Sequence, residues 1–422
     1  MKKFIITTFF LLNFISYANT ITLDEAIQLA LKNNKNIKIS EQEVKISEDN
    51  LSSSFKTALP SVVYNSKYQK GEFERSMGTN NREESKEGYA QSLTMFQPLF
   101  RGGAIISSIK EQKLSKEISI LNYLEQKRDV RLNVIKNYSN IINSQRNLLA
   151  FYDSKKELET NYEKQKMQLE LKFILKADIL KTEYYLLDID SKILTSQNNI
   201  KIEKDRLKIN IGIPMEEEIN VVEFSIPENL LSQITFDSDL NSAKEKSLTA
   251  LIAKKNTQLA YENKTIKRAE MMPKIDAFAG YGTYIEEPKL DATTNSAEWR
   301  GGVQVNWNVF QFGKDYDLYK ASVKNVDKTK IAESQTVDNI QLEVTSAYLD
   351  LVRLEKIKLS KYQGMLTATE NYSVDKERYD AGLISVVDYL LSQSLWRNSQ
   401  VDYNFSLNEY YIAFEKYRSL LI

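Results

Sequence analysis

Arg378–Leu390 reads RYDAGLISVVDYL, and Gln168–Leu180 reads QLELKFILKADIL. The two stretches stand 210 residues apart, and the same offset lays Val130–Gly212 over Ile340–Ile422 without a gap. Ile174 then falls on Ile384, Asp178-Ile179-Leu180 on Asp388-Tyr389-Leu390, Asn161-Tyr162 on Asn371-Tyr372, and Tyr138 on Tyr348. Upstream of each copy the same signals recur in the same order. They are a Pro (Pro60, Pro273), an alternating run, a polar loop, a second alternating run, and then Phe and Gly (Phe100-Arg101-Gly102 and Phe310-Gln311-Phe312-Gly313). Identity between the copies is low. It is the shared order that marks one supersecondary unit used twice.

Gly and Pro are scarce and clustered. None precedes Pro60, none occurs in 104–211, and from Lys314 onward there are only Gly364 and Gly382. Those stretches, rich in Leu, Ile, Lys, Glu, Gln and Asn, read as helix. A single rod over 104–211 would run roughly 160 Å at 1.5 Å per residue. An antiparallel hairpin turning near Leu171–Ala177 is the economical reading. Asp380-Ala381-Gly382 sits at the matching place in the second copy, with Gly at the usual helix C′ position; the first copy has Lys172 there. Ile135, Tyr138, Ile142, Gln145, Leu149 and Tyr152 step by 3 and 4, beside a second stripe of Val130, Val134, Ile141 and Leu148. In the second copy Ile340, Val344, Ala347, Leu351 and Leu354 match that second stripe. Two adjacent stripes describe a helix packed on two sides.

The runs between these helices alternate. Trp299, Val303, Val305, Trp307 and Val309 share one face against Arg300, Gln304, Asn306 and Asn308; Ile275, Ala277, Ala279 and Tyr281 do the same in Pro273–Tyr284. The first copy offers Ser61–Gln69 and Tyr89–Phe100. Strands are thus expected at about 60–70, 88–100, 273–285 and 298–310, with polar loops at Lys70–Gly88 and Glu286–Glu298. Runs of ~9–11 residues with an apolar face suit membrane-spanning strands, although the inner face of a soluble sandwich alternates in the same way. Four strands cannot close a conducting barrel, since membrane barrels begin at about eight. A symmetric trimer would supply twelve.

Composition narrows the class. Lys2-Lys3, the apolar run Phe4–Phe14 and Ser16-Tyr17-Ala18 form a secretory signal peptide, read as residues 1–18 with cleavage after Ala18. No later run reaches the ~18 apolar residues of a spanning helix. Cys and His are both absent, which removes disulfides, His-assisted nucleophiles and the common transition-metal sites. No cofactor is expected. The 57 basic residues equal the 57 acidic ones, so no basic surface for nucleic acid is expected.

Four stretches carry a resemblance to the TolC family of outer-membrane channel proteins. They are Leu23-Asp24-Glu25-Ala26-Ile27-Gln28-Leu29-Ala30-Leu31-Lys32-Asn33-Asn34, the Leu59-Pro60 and Met272-Pro273 entries to the strands, and Arg378–Leu390. The resemblance covers almost the whole mature chain. It implies a mainly α fold with a membrane β-barrel portion: a homotrimer, four strands per chain in a twelve-stranded barrel, and a long α-helical coiled-coil tunnel across the periplasm. The repeats would be 19–220, with its helical hairpin at 104–212, and 240–422, with its hairpin at 314–422. The segment 221–239 would be a linker in an equatorial belt, reduced here because the chain stops at Ile422 directly after the last helix. The implied function is a passive exit duct of a tripartite efflux or type I secretion system in the outer membrane. Its partners would be a periplasmic adaptor protein, an inner-membrane RND, ABC or MFS pump, and outer-membrane lipid.

The resemblance also assigns roles at the hairpin ends. Asp388 matches a carboxylate ringing the periplasmic entrance and Tyr379 a tyrosine of the constricting hydrogen-bond set. Asp178 is the first-copy counterpart of Asp388. The family's latch arginine is Ile384 here, and its second ring carboxylate is Leu391, which suggests an apolar constriction. Ala381-Gly382-Leu383 and Leu171-Lys172-Phe173 would be the adaptor-facing tips. Ser385-x-x-Asp388 equally reads as a capping box, so Asp388 carries two readings. Thr22-Leu23-Asp24-Glu25 reads as a capping box alone. The alternative function is a secreted trimeric coiled-coil adhesin or stalk without a channel, which would leave the two strand pairs without a purpose. No enzyme is expected: no phosphate loop is present, and no acidic pair sits in an aromatic cleft.

Overall fold

The computed structural model describes residues 19–77, 80–227, 229–283 and 297–422. The leader read at residues 1–18 and most of the loop read at Glu286–Glu298 lie outside the described residues. In chain order the elements are β1 (Asn19–Ile21), α1 (Leu23–Asn33), α2 (Lys35–Lys56), β2 (Ser61–Met77), β3 (Asn80–Phe100), α3 (Ala104–Glu170), α4 (Lys176–Ile211) and β4 (Ile219–Val221). There follow α5 (Phe236–Lys246), α6 (Leu248–Ala269), β5 (Lys274–Gly282), β6 (Glu298–Asn306), α7 (Lys314–Asp380) and α8 (Val386–Leu420). The repeat is plain in the helix lengths: 11 residues for α1 and α5, 22 for α2 and α6, 67 for α3 and α7, and 36 against 35 for α4 and α8.

The chain divides into two compact units, each drawing on both repeats. One gathers Met1–Ser40, Leu124–Ser247 and Asn339–Ile422; the other gathers Glu41–Tyr123 and Leu248–Asp338.

In the second unit the strands form one antiparallel sheet of order β2-β3-β5-β6. Its register puts Tyr64, Leu93, Tyr281 and Trp299 on one rung and Val62, Met95, Ala279 and Gly301 on another. Alternation therefore gathers Val62, Tyr64, Leu93, Met95, Ile275, Tyr281, Trp299, Val303 and Val305 on a single face. These large side chains are all exposed except Ile275, which is half-buried. The opposite face carries Asn65, Ser92, Thr94, Asp276, Arg300 and Gln304, with Phe96 and Phe278 in contact among them at 6.5 Å between ring centroids. Arg101 ties the end of β3 to Asp276 on β5.

The strand bounds differ from the expected ones. Lys70–Gly88 is not a polar loop: β2 and β3 pair continuously from Ser61↔Phe96 to Met77↔Asn80. Alternation reports an apolar face, whereas backbone pairing continues wherever N–H and C=O groups meet partners, so the ladder outruns the pattern that revealed it. At the other end β6 stops at Asn306, opposite Lys274, the first residue of β5. The preceding Pro273 has no N–H to offer, and Val309 and Phe310 lie beyond the ladder. Trp307 instead donates its indole N–H to the Met271 carbonyl (3.1 Å).

The first unit is helical apart from the short parallel pair β1–β4, which the sequence did not announce. Tyr138 on α3 holds that pair: its buried hydroxyl lies 2.9 Å from the Ile21 carbonyl and 2.7 Å from that of Val222, and accepts from the Val222 N–H. Val130, Val134, Ile135, Ile141 and Ile142 of α3, Leu207 and Ile211 of α4, and Ile340, Val344 and Leu351 of α7 are buried. Leu149 and Tyr152, expected on the first stripe, are exposed. A 3.5-residue stripe drifts about 20° per heptad on a straight helix, and past Ile142 the buried line passes instead through Ala150, Ser154, Leu158, Asn161 and Gln165. In the segment expected as a linker, the Leu231 N–H donates to Tyr410 Oη (3.1 Å), and Tyr417 Oη donates to Asp239 (3.0 Å), tying it to α8.

Candidate functional site

The candidate site is built from the turns that close the two helical hairpins, both in the first unit. Each turn ends its helix in the same way. Phe173 N–H bonds the Gln168 carbonyl (2.8 Å) and Lys172 N–H that of Leu169 (3.0 Å); Leu383 bonds Arg378 (2.8 Å) and Gly382 bonds Tyr379 (3.0 Å). These are two Schellman motifs. Their C′ residues are left-handed, Gly382 at φ 73° and Lys172 at φ 62°. A non-glycine residue there costs roughly 1–2 kcal/mol. The helices that follow also start differently. Ser385 caps α8 by accepting from the Asp388 N–H (3.2 Å), while Leu175 offers α4 no side-chain cap.

Behind the turns the hairpins share one core. Leu158, Ile189 and Ile193 of the first pack with Tyr372, Val386, Tyr389 and Leu390 of the second. Aromatic rings make up much of it: Tyr379 stacks on Tyr389 (4.5 Å, 14°) and Tyr372 on Trp396 (4.6 Å, 9°), and the Tyr372 and Tyr389 hydroxyls are 3.4 Å apart. Burial pushes the Tyr389 phenol up to about 12. Burial, and then the hydrogen bond to Tyr389, push Tyr372 higher still.

A polar relay crosses this core. Gln165, fully buried, donates to Tyr379 Oη (3.0 Å) and accepts from Thr182 Oγ1 (2.8 Å), so α3, α4 and α7 meet through one side chain. Farther along, Gln393 donates to the Ser154 carbonyl (3.2 Å), Asn404 to Asn147 (3.0 Å) and Asn408 to Asn140 (2.9 Å). Arg397 of α8 is only 1% exposed. Its Nη2 reaches Ser394 (3.0 Å) and lies 3.9 Å from Asp188 of α4, whose carboxylate is held by Lys192 (2.7 Å); its Nε has no hydrogen-bond partner among the described residues. Burial lowers the Arg397 pKa against the opposing pull of Asp188. Lys164–Asp380 and Lys376–Glu157 add ion pairs between the hairpins, each 2.7 Å. Being largely exposed, each contributes about 0–1 kcal/mol.

The residues singled out from sequence therefore separate. Tyr379 joins the hairpins. Asp388 is exposed in the first turn of α8, where its carboxylate accepts from the Ser385 hydroxyl (2.7 Å) and its N–H completes the cap. Asp178 pairs with Lys181 on its own helix (3.3 Å). Leu391 is exposed, as are all six tip residues: Ala381, Gly382 and Leu383, and Leu171, Lys172 and Phe173. Sequence reasoning missed Gln165, Thr182, Arg397 and Trp396. The available signal was that Gln165 continues the helical line of Leu158 and Asn161 at steps of three and four, and a polar residue buried on such a line needs a partner.

This fold recurs in solved structures. The outer membrane channel CmeC of Campylobacter jejuni is 16% identical with a TM-score of 0.79, over 94% of this chain and 85% of that one. A membrane protein from Pseudomonas aeruginosa is 14% identical with a TM-score of 0.81, over 94% and 93%. The MtrE outer membrane channel of Neisseria gonorrhoeae, described in an open state, is 15% identical with a TM-score of 0.75, over 94% and 88%. No curated protein sequence matches the chain. The sequence profile of the outer membrane efflux protein family matches residues 26–170 and 240–421. The chain belongs to that family: it is an outer-membrane channel for an efflux system, and the adhesin alternative falls. The family is one of channels, not of enzymes.

Proposed function

We propose that three copies of the chain close a twelve-stranded barrel and that their helical hairpins line a tunnel on the periplasmic side. The observation that carries this is the sheet, with one exposed apolar face and β2 and β6 each unpaired on one side among the described residues. Such a sheet needs lipid against its face and strands against its edges. Each repeat, 19–220 and 240–422, gives two strands and one hairpin, with a leader at 1–18 and the 221–239 segment between them.

The duct is passive. Energy comes from an inner-membrane RND, ABC or MFS pump, coupled through a periplasmic adaptor that meets Leu171-Lys172-Phe173 and Ala381-Gly382-Leu383. Closure rests on the contact between hairpins, with Gln165–Tyr379 in place of a latch arginine, and Asp388, Asp178 and Leu391 facing the entrance. Purified protein in a planar bilayer gives single-channel conductance; a soluble trimer with no conductance overturns the duct. Asp388→Ala lowers cation selectivity, as expected when a ring of like carboxylates is removed. Unchanged selectivity leaves Asp388 as a helix cap only.

A further inference from the structure

The two tip turns share one backbone path and differ in what they present. The second uses the residues that favour such a turn, Gly382 at the left-handed position and Ser385 at the helix cap. The first forgoes both, with Lys172 at φ 62° and Leu175 without a cap hydrogen bond. What it gains is surface. Phe173 is 77% exposed, flanked by exposed Leu171 and Leu175. Exposed Lys172 and Lys176 stand beside them with no ion pair among the described residues, whereas the acidic end of the second hairpin, Asp380, is neutralised by Lys164. A locally unfavourable backbone holding unpaired charge and bare apolar surface marks a site kept for an external partner.

We infer that the first hairpin tip is the selective half of the docking end, and that it fits a protein turn of the pump assembly presenting an apolar hollow bordered by Asp or Glu side chains. This rests on the duct reading above for the presence of a pump assembly. Charge complementarity specifies the acidic border: two unpaired lysines flank the apolar residues, and a basic or neutral rim would leave them unmatched or repelled. The second tip exposes Leu383 but carries no lysine from Ala381 to Val387, and it sets register rather than identity. An anionic membrane surface shares part of this chemistry, but the first tip carries it on a single turn at the end of two packed helices, which suits a hollow better than a plane.

The test uses the full-length protein in its own envelope with the photo-crosslinking residue p-benzoylphenylalanine in place of Phe173. The adduct is expected on a protein whose mapped peptide carries Asp or Glu beside apolar residues. Lys172→Glu with Lys176→Glu lowers adduct yield about tenfold, and reversing the mapped acids to Lys restores it. An adduct on lipid, on a second copy of the chain or on a peptide without acidic residues overturns the inference. So does no adduct above background, or a yield indifferent to charge reversal. Lys172→Gly with Leu175→Ser, which copies the second turn into the first, unfolds no more easily than the parent yet loses the adduct; easier unfolding means those residues serve the turn itself and also overturns it. Conductance of the unaltered purified protein is measured in parallel, so that failure of the duct reading is seen separately from failure at the tip.

Discussion

Lys172 and Gly382 hold equivalent places, and the difference between them is measurable. Lys172→Gly removes the left-handed penalty but adds backbone entropy to the unfolded chain, for a net stabilisation of about 0.5–1 kcal/mol. Gly382→Ala, with open space around its Cβ but φ 73°, destabilises by about 1 kcal/mol. Denaturant unfolding of the two variants should move in opposite directions. Gln165→Ala leaves the Thr182 and Tyr379 hydroxyls without their buried partner and costs about 1–3 kcal/mol. If Gln165 also helps to hold the entrance shut, the variant conducts more than the parent in the same bilayer assay. The phenols of the shared core add a pH dependence of known sign. Well below pH 10, Tyr372 and Tyr389 are neutral in both folded and unfolded chains. Between the ordinary value of 10.0 and about 12, unfolded chains ionise at this position while Tyr389 keeps its proton, so stability from this group is full below that window and falls as pH rises through it. Tyr389→Phe flattens that alkaline slope in a plot of unfolding midpoint against pH.

At the scale of elements, the helices were legible because breakers are absent and stripes are long, and the hairpin turn of the second copy because Gly382 marks it. The break between α1 and α2 was not. It has no Gly or Pro. Asn34 makes it, ending α1 while its Oδ1 accepts from the N–H groups of Asn36 (2.9 Å) and Ile37 (3.3 Å) and its Nδ2 donates to the Asn210 carbonyl (2.8 Å). An asparagine does this work only when a neighbouring element supplies the third bond, which local sequence cannot show. Asn34→Ala removes the cap of α2 and the partner of Asn210, and unfolding should ease by about 1–2 kcal/mol. The strands were legible where one face is apolar and illegible where the ladder runs on through Lys70–Gly88. The relay through Gln165 was hidden for a related reason: a heptad pattern says that a position is buried, not which hydroxyl waits there.

For the molecule as a whole, the register divides the sheet into an apolar and a polar face; in the proposed barrel these would meet lipid and lumen, and neighbouring residues should respond oppositely. Val303→Lys places a charge on the apolar face at a cost of about 2–4 kcal/mol if it lies at mid-membrane, and heat-modifiable assembled protein in outer-membrane fractions should fall. Gln304→Lys, one residue along and on the other face, should assemble normally and shift the conductance toward anions. Equal effects at both positions would show that the faces are not distinguished by the membrane. The same sheet imposes a condition on manufacture. With β2 and β6 both open on one side among the described residues, a lone chain is a template that can recruit unrelated strands as readily as its own kind, and in the proposed trimer its folded stability would depend on the concentration of its copies. If three chains close the barrel as proposed, supply has to be matched to closure: export faster than trimers form would yield aggregate rather than spare channels, and periplasmic holding capacity rather than the promoter would set the useful ceiling on expression.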